Sequence, residues 1–115
     1  MQQDPINQLR KEVIQQKAAH LPKPTHCELC LRAFEQLETF DAFVAQVVIQ
    51  ALQGHPQNVV YPQQAELDVA FGQLAASSDA EDIRQFCLLQ NARQRLEKML
   101  DLVNRAASLP SQEDK

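Results

Sequence analysis

The chain carries only two glycines, Gly54 and Gly72, in 115 residues. Glycine alone reaches positive φ without a steric penalty, so tight hairpins, phosphate-cradling loops and dinucleotide-binding turns depend on it. Two glycines cannot furnish a barrel, a sandwich or a nucleotide-binding sheet. Alanine, leucine and glutamine, which suit helices, number 14, 14 and 17, against 14 for valine, isoleucine and threonine together. The expected class is all-α. With 44% apolar side chains the chain can bury a core without disulfide staples.

Local signals place the helices. Asp4 followed by Pro5 is a helix start, and Ile6, Leu9, Val13 and Ile14 then keep one face apolar, giving a helix over 5–19. Pro22 and Pro24 remove donors and force their predecessors to extended geometry, so a stiff connector follows. Thr25 and Glu28 have the spacing of a capping box, and Gly54 before Pro56 is the matching stop, giving 26–53. The second half of this helix is polar only at Gln46, Gln50 and Gln53, a narrow wet stripe on an otherwise covered helix. In the connecting segment 54–62, Val59, Val60 and Tyr61 are expected to lie on the core. Pro62 opens a third helix over 62–76, with Leu67, Phe71 and Leu74 inward. Ser78 and Glu81 suggest a second capping box, opening a helix over 79–108 whose stripe is Leu89, Ala92, Leu96, Met99, Val103 and Ala106, widened by Ile83, Phe86 and Leu100. Gly72, inside a helix beside Phe71, reads as a close helix crossing.

The expected architecture is one helical domain over 1–110, an elongated four-helix bundle of two short and two long helices, with a disordered polar tail over 111–115. Helices two and four would be about 42 Å and 45 Å long. A compact globule of this size is only about 35 Å across, so the open side of the bundle would be closed by another protein or by a second copy. The leading functional expectation is therefore a non-enzymatic protein-interaction module, an adaptor, chaperone or regulatory subunit acting as a homodimer or with a protein partner. Its candidate interface residues are Phe40, Phe43 and Val47 on helix two and Leu96, Met99 and Val103 on helix four.

The net charge of −4 offers no general attraction to nucleic acid, and no segment is basic enough to supply one locally. Arg84, Arg93, Arg95, Lys98 and Arg105 are interspersed with acids and point around helix four, the pattern of a solvated surface. No apolar run approaches the ~18–20 residues of a membrane span. The N-terminus shows no basic segment followed by an apolar one, and the cysteines are odd in number, which together point to a reducing, cytoplasmic compartment.

The rival reading is a small metal or thiol-redox module. His20, His26, Cys27 and Cys30 combine imidazole with soft thiolates, the chemistry of zinc, and cysteines at i, i+3 share a helix face. Cys87 or His55 could complete the set if the fold brought one close. Against this, free cysteine commonly packs as a small hydrophobe, and the apolar face continues through Ala33, Phe34 and Leu37. A redox pair at Cys27 and Cys30 lacks the surrounding strand pattern of thioredoxin-like proteins. Glu35, Glu38 and Asp41 read as a solvated face, and no serine is bracketed by glycines as a nucleophile would be. No catalytic residue and no other cofactor is expected.

Overall fold

A computed structural model of the chain describes residues 4–17, 23–24 and 27–109. These form four helices, α1 (Pro5–Lys17), α2 (Glu28–Leu52), α3 (Gln64–Ala75) and α4 (Ala80–Ser108). The fold is an all-helical bundle with two long and two short members, and there is no strand among the described residues. Its extents of 57 × 26 × 22 Å and radius of gyration of 16.0 Å make it elongated; a compact chain of this length would have a radius of gyration near 13 Å.

Helices α2 and α4 form the spine and run side by side in the same direction. At one end Cys27 meets Asp82; at the other, the segment following α2 bonds to α4 through Val59 and Asn104. The return between them is made by segment 53–63 and by α3, which runs back along α2 from Tyr61, packed on Phe40, to Ser77, bonded to Asp82. Helix α1 lies against the middle of α4. Its Leu9 is fully buried, and Glu12 pairs with Arg95 at 2.9 Å and Lys98 at 2.8 Å. One hydrophobic cluster draws on all four helices, with Phe40, Val44, Leu67, Leu74, Leu89, Leu96, Leu102 and Val103 nearly or fully closed to solvent.

The helix ends show why the local signals worked and where they slipped. The Asp4 carboxylate accepts from the Ile6 N–H at 3.0 Å, with Pro5 as the first helical residue. Gly54 has φ +95°; its N–H reaches the Ala51 carbonyl while that of His55 reaches Gln50, closing α2 in a Schellman motif. The start of α2 differs from expectation: Cys27 is its N-cap, in extended geometry and without a side-chain cap. Thr25, the expected cap, lies outside the described residues, as do the connector residues 18–22 and the tail 111–115. At α4 the cap is Asp79 rather than Ser78, because the Asp79 carboxylate reaches the N–H groups of Glu81 and Asp82, both at 3.1 Å. Pro62 falls in the turn before α3, which opens at Gln64.

Three packing expectations are corrected. Gly72 is exposed, and a Cβ added there would meet nothing within 4 Å, so no close crossing requires it. Val60 is 83% exposed, because in an extended segment its neighbours Val59 and Tyr61 point the other way, onto the core. Arg93 is not a solvated cation: its guanidinium lies 4.8 Å from the Phe71 ring centroid, pairs with Glu97 at 2.9 Å and bonds to Asp68 across the α3–α4 contact.

Candidate functional site

The distinctive polar cluster of the molecule lies where α2 begins, α3 ends and α4 begins. The Cys27 thiol donates to Asp82 Oδ1 at 2.9 Å, and the Cys30 thiol donates to the same oxygen at 3.3 Å. Ser77 donates its hydroxyl to the other oxygen, Oδ2, at 2.6 Å. The Asp79 N–H in turn donates to Ser77 Oγ at 3.2 Å, so the turn that caps α4 also orients the serine. Asp82 is only 5% exposed and Cys30 is fully buried, while Cys27 is half-buried. One ligand atom from each of Cys27, Cys30 and Asp82 lies within 4.8 Å of the others.

Local sequence explains this convergence. As N-cap, Cys27 is the last extended residue before α2, and Cys30 lies one turn into the helix, so both sulfurs face α4. Asp82, in the first turn of α4, stands at i, i+4 and i+7 with Phe86 and Leu89, on the inner side of the helix. The first turns of α2 and α4 bring their positive ends to the cluster, which favours the carboxylate there. Burial pushes the Cys30 thiol up from 9.0 to about 12, reinforced by its contacts with Asp82 and then Cys27. A nucleophilic redox thiol needs the opposite shift.

Of the sequence-derived ligands, Cys27 and Cys30 are brought together, whereas His20 and His26 lie outside the described residues. Cys87 is exposed on α4 and His55 is exposed after α2; among the described residues neither joins the cluster. The apolar pattern points to Ile83 on the inner stripe, whereas the structure buries Asp82 there and leaves Ile83 48% exposed. Asp82 continues the seven-residue spacing of Leu96 and Leu89, and a capped first turn, at the positive end of the helix, favours a buried carboxylate.

The candidate interface residues occupy the core. Phe40, Val47, Leu96, Met99 and Val103 are buried within the single chain, and Phe43 is half-buried against Tyr61, with ring centroids 5.1 Å apart. Apolar surface lies instead on the outside of α2. Beyond Asp41 its exposed residues are Ala42, Ala45, Gln46, Ile49 and Gln50, followed by the exposed C-cap Gln53, with Ile49 53% exposed. This is a broader arc than the expected stripe of glutamines, because α3 and the return segment cover only the opposite side. Between α2 and α3 a concavity of about 430 Å³ is lined by Arg32, Glu35, Glu66, Gln73 and the exposed Val69, without a cysteine or histidine.

The described residues form an all-helical bundle with a buried thiol–carboxylate cluster at one end. No protein-family model matches the chain, and searches of curated proteins and of solved structures found no match. No helix among the described residues is long and apolar enough to cross a membrane.

Proposed function

We propose that the chain is a non-enzymatic protein-interaction module that pairs with a second copy through the outer face of the C-terminal half of α2. One observation carries this reading. The exposed side of α2 is charged up to its midpoint, with Glu28, Arg32, Glu35, Glu38 and Asp41, and then has no charge from 42 to 53. A solvated helix face ordinarily carries charged or polar residues, and here the charged ones stop at the midpoint. Here Ala42, Ala45 and Ile49 recur at i, i+3 and i+7, flanked by glutamines that can hydrogen-bond in either direction.

The absence of charge also selects the occupant. A two-fold axis brings a surface against itself, so every like charge near the axis meets its own copy; an uncharged face incurs no such repulsion. Alanines at two successive turns allow backbones to approach to the ~8 Å lower limit of helix packing. The cations of α4 are engaged within the chain: Arg84 with Glu81, Arg93 with Asp68 and Glu97, Arg95 and Lys98 with Glu12, and Arg105 with Asp101. That pattern favours a protein partner over a polyanion.

A charge swap at Ala45 tests the proposal by native mass spectrometry. Wild type is expected to give dimers, Ala45→Arg and Ala45→Glu monomers, and an equimolar mixture of the two variants a heterodimer. Wild type found only as monomer, or single variants that dimerise like wild type, would remove this face as the pairing surface.

A further inference from the structure

We infer that Cys27, Cys30 and Asp82 form a zinc-binding site in which Ser77 is the positioning residue. Two sulfurs and a carboxylate oxygen within 4.8 Å of one another are already grouped closely enough to share one ion. In a tetrahedral zinc site, bonds of about 2.3 Å to sulfur and about 2.0–2.2 Å to oxygen hold the ligand atoms roughly 3.4–3.8 Å apart. Gathering these three around zinc therefore needs shifts of about 1 Å or less, within the reach of side-chain rotation alone.

The division of labour on Asp82 points the same way. Both thiols address Oδ1, while Ser77 holds Oδ2 at 2.6 Å. A metal-ligating carboxylate is characteristically fixed through its second oxygen in this manner. Ser77 is itself held by the Asp79 N–H, so the orientation is built into the α3–α4 turn. Two thiolates and a carboxylate bring three negative charges to a dication, and the excess faces the positive ends of α2 and α4. The soft sulfurs select zinc over calcium or magnesium. As each sulfur–zinc bond forms, its thiol proton passes to buffer, and among the described residues no further cysteine, histidine or carboxylate joins the three ligands. The site is at the N-terminal end of α2, remote in sequence from the uncharged face at 42–53, and does not rest on pairing through that face.

The test is titration of the full chain, purified under chelator and reductant, with zinc chloride alone. The expected result is one zinc per chain at micromolar concentration, two protons released when calorimetry is compared across buffers, and a raised melting temperature. Ser77→Ala should weaken zinc about 10–100-fold with the helical circular dichroism unchanged. Cys27→Ser should weaken it at least as much, and half-buried Cys27 is the safer cysteine to replace. Cobalt(II) bound to wild type should show sulfur-to-metal charge-transfer absorption that Cys27→Ser diminishes. The inference is overturned by no saturable zinc binding at micromolar concentration, by binding without proton release, or by binding that Cys27→Ser leaves unchanged.

Discussion

The two halves of α2 share one helix and one core but close against different chemistry. The half from Glu28 to Asp41 starts in the thiol–carboxylate cluster, is backed by α3 and shows a charged outer face. The half from Ala42 to Leu52 follows the junction where Tyr61 packs, 4.7 Å from Phe40 and 5.1 Å from Phe43 between ring centroids, and its outer face is uncharged. The return segment is locked there by Asn104, whose side chain accepts from the Val59 N–H at 2.8 Å and donates to the Val59 carbonyl at 3.1 Å. Polar groups buried at the first end fix geometry, because each donor has a directional partner. At the second end the Asn104 bonds fix the return segment, while the outer face of α2 is left free to be covered.

The strongest way to break this contrast is at the aromatic junction between the halves. Tyr61→Ala should destabilise the fold by about 3–5 kcal/mol, the range for a large buried aromatic, measured by denaturant unfolding. A change below about 1 kcal/mol would mean that the return segment is not part of the cooperative core. At the polar end, Asp82→Ala should cost about 1.5–3 kcal/mol in zinc-free protein, because it strips hydrogen bonds to a charged acceptor from Cys27, Cys30 and Ser77. Equal stability for that variant and wild type would reduce the cluster to bystanders.

The glycines sharpen the comparison at a smaller scale. Gly54, which ends the second half at φ +95°, should lose about 1–2 kcal/mol on replacement by alanine. Gly72, in the helix that backs the first half, has open space around its missing Cβ, so Gly72→Ala should gain about 0.5–1 kcal/mol. Opposite signs in thermal melts are the expected outcome; two losses would restore the close crossing. The smallest effect concerns Asp68 on α3, whose carboxyl is held below its ordinary 3.8, chiefly by the Gln64 amide and then by Arg93. Its lowered folded value contributes stability that is present above about pH 4 and lost as the pH falls through the folded value. Because Asp68 is half exposed, Asp68→Asn should flatten the acid limb of a stability profile by only a few tenths of a kcal/mol.

Most of the fold is legible in the sequence because its punctuation is local. Pro5 and Gly54 act on backbone torsions within a turn or two, so helix ends read from them are placed to within two residues. Inner and outer faces of α2 and α4 are less legible, since each apolar arc is wider than the partner that covers it. Phe40, Val47 and Leu96 look alike as core or as interface until the third dimension assigns them inward. The cluster was half readable: Cys27 and Cys30 share a face by spacing, but Asp82 is 52 residues beyond Cys30 and resembles its exposed acidic neighbours in composition. Only the contact between the ends of α2 and α4 distinguishes it.

The central claim, that the uncharged half of α2 is a self-pairing surface, is tested most directly by sedimentation equilibrium across a dilution series, with and without zinc. The account predicts a species of twice the 13.0 kDa chain mass at high concentration, dissociating on dilution and converted to monomer by Ile49→Glu. A 13.0 kDa monomer at every concentration would contradict it, as would a dimer that Ile49→Glu leaves intact.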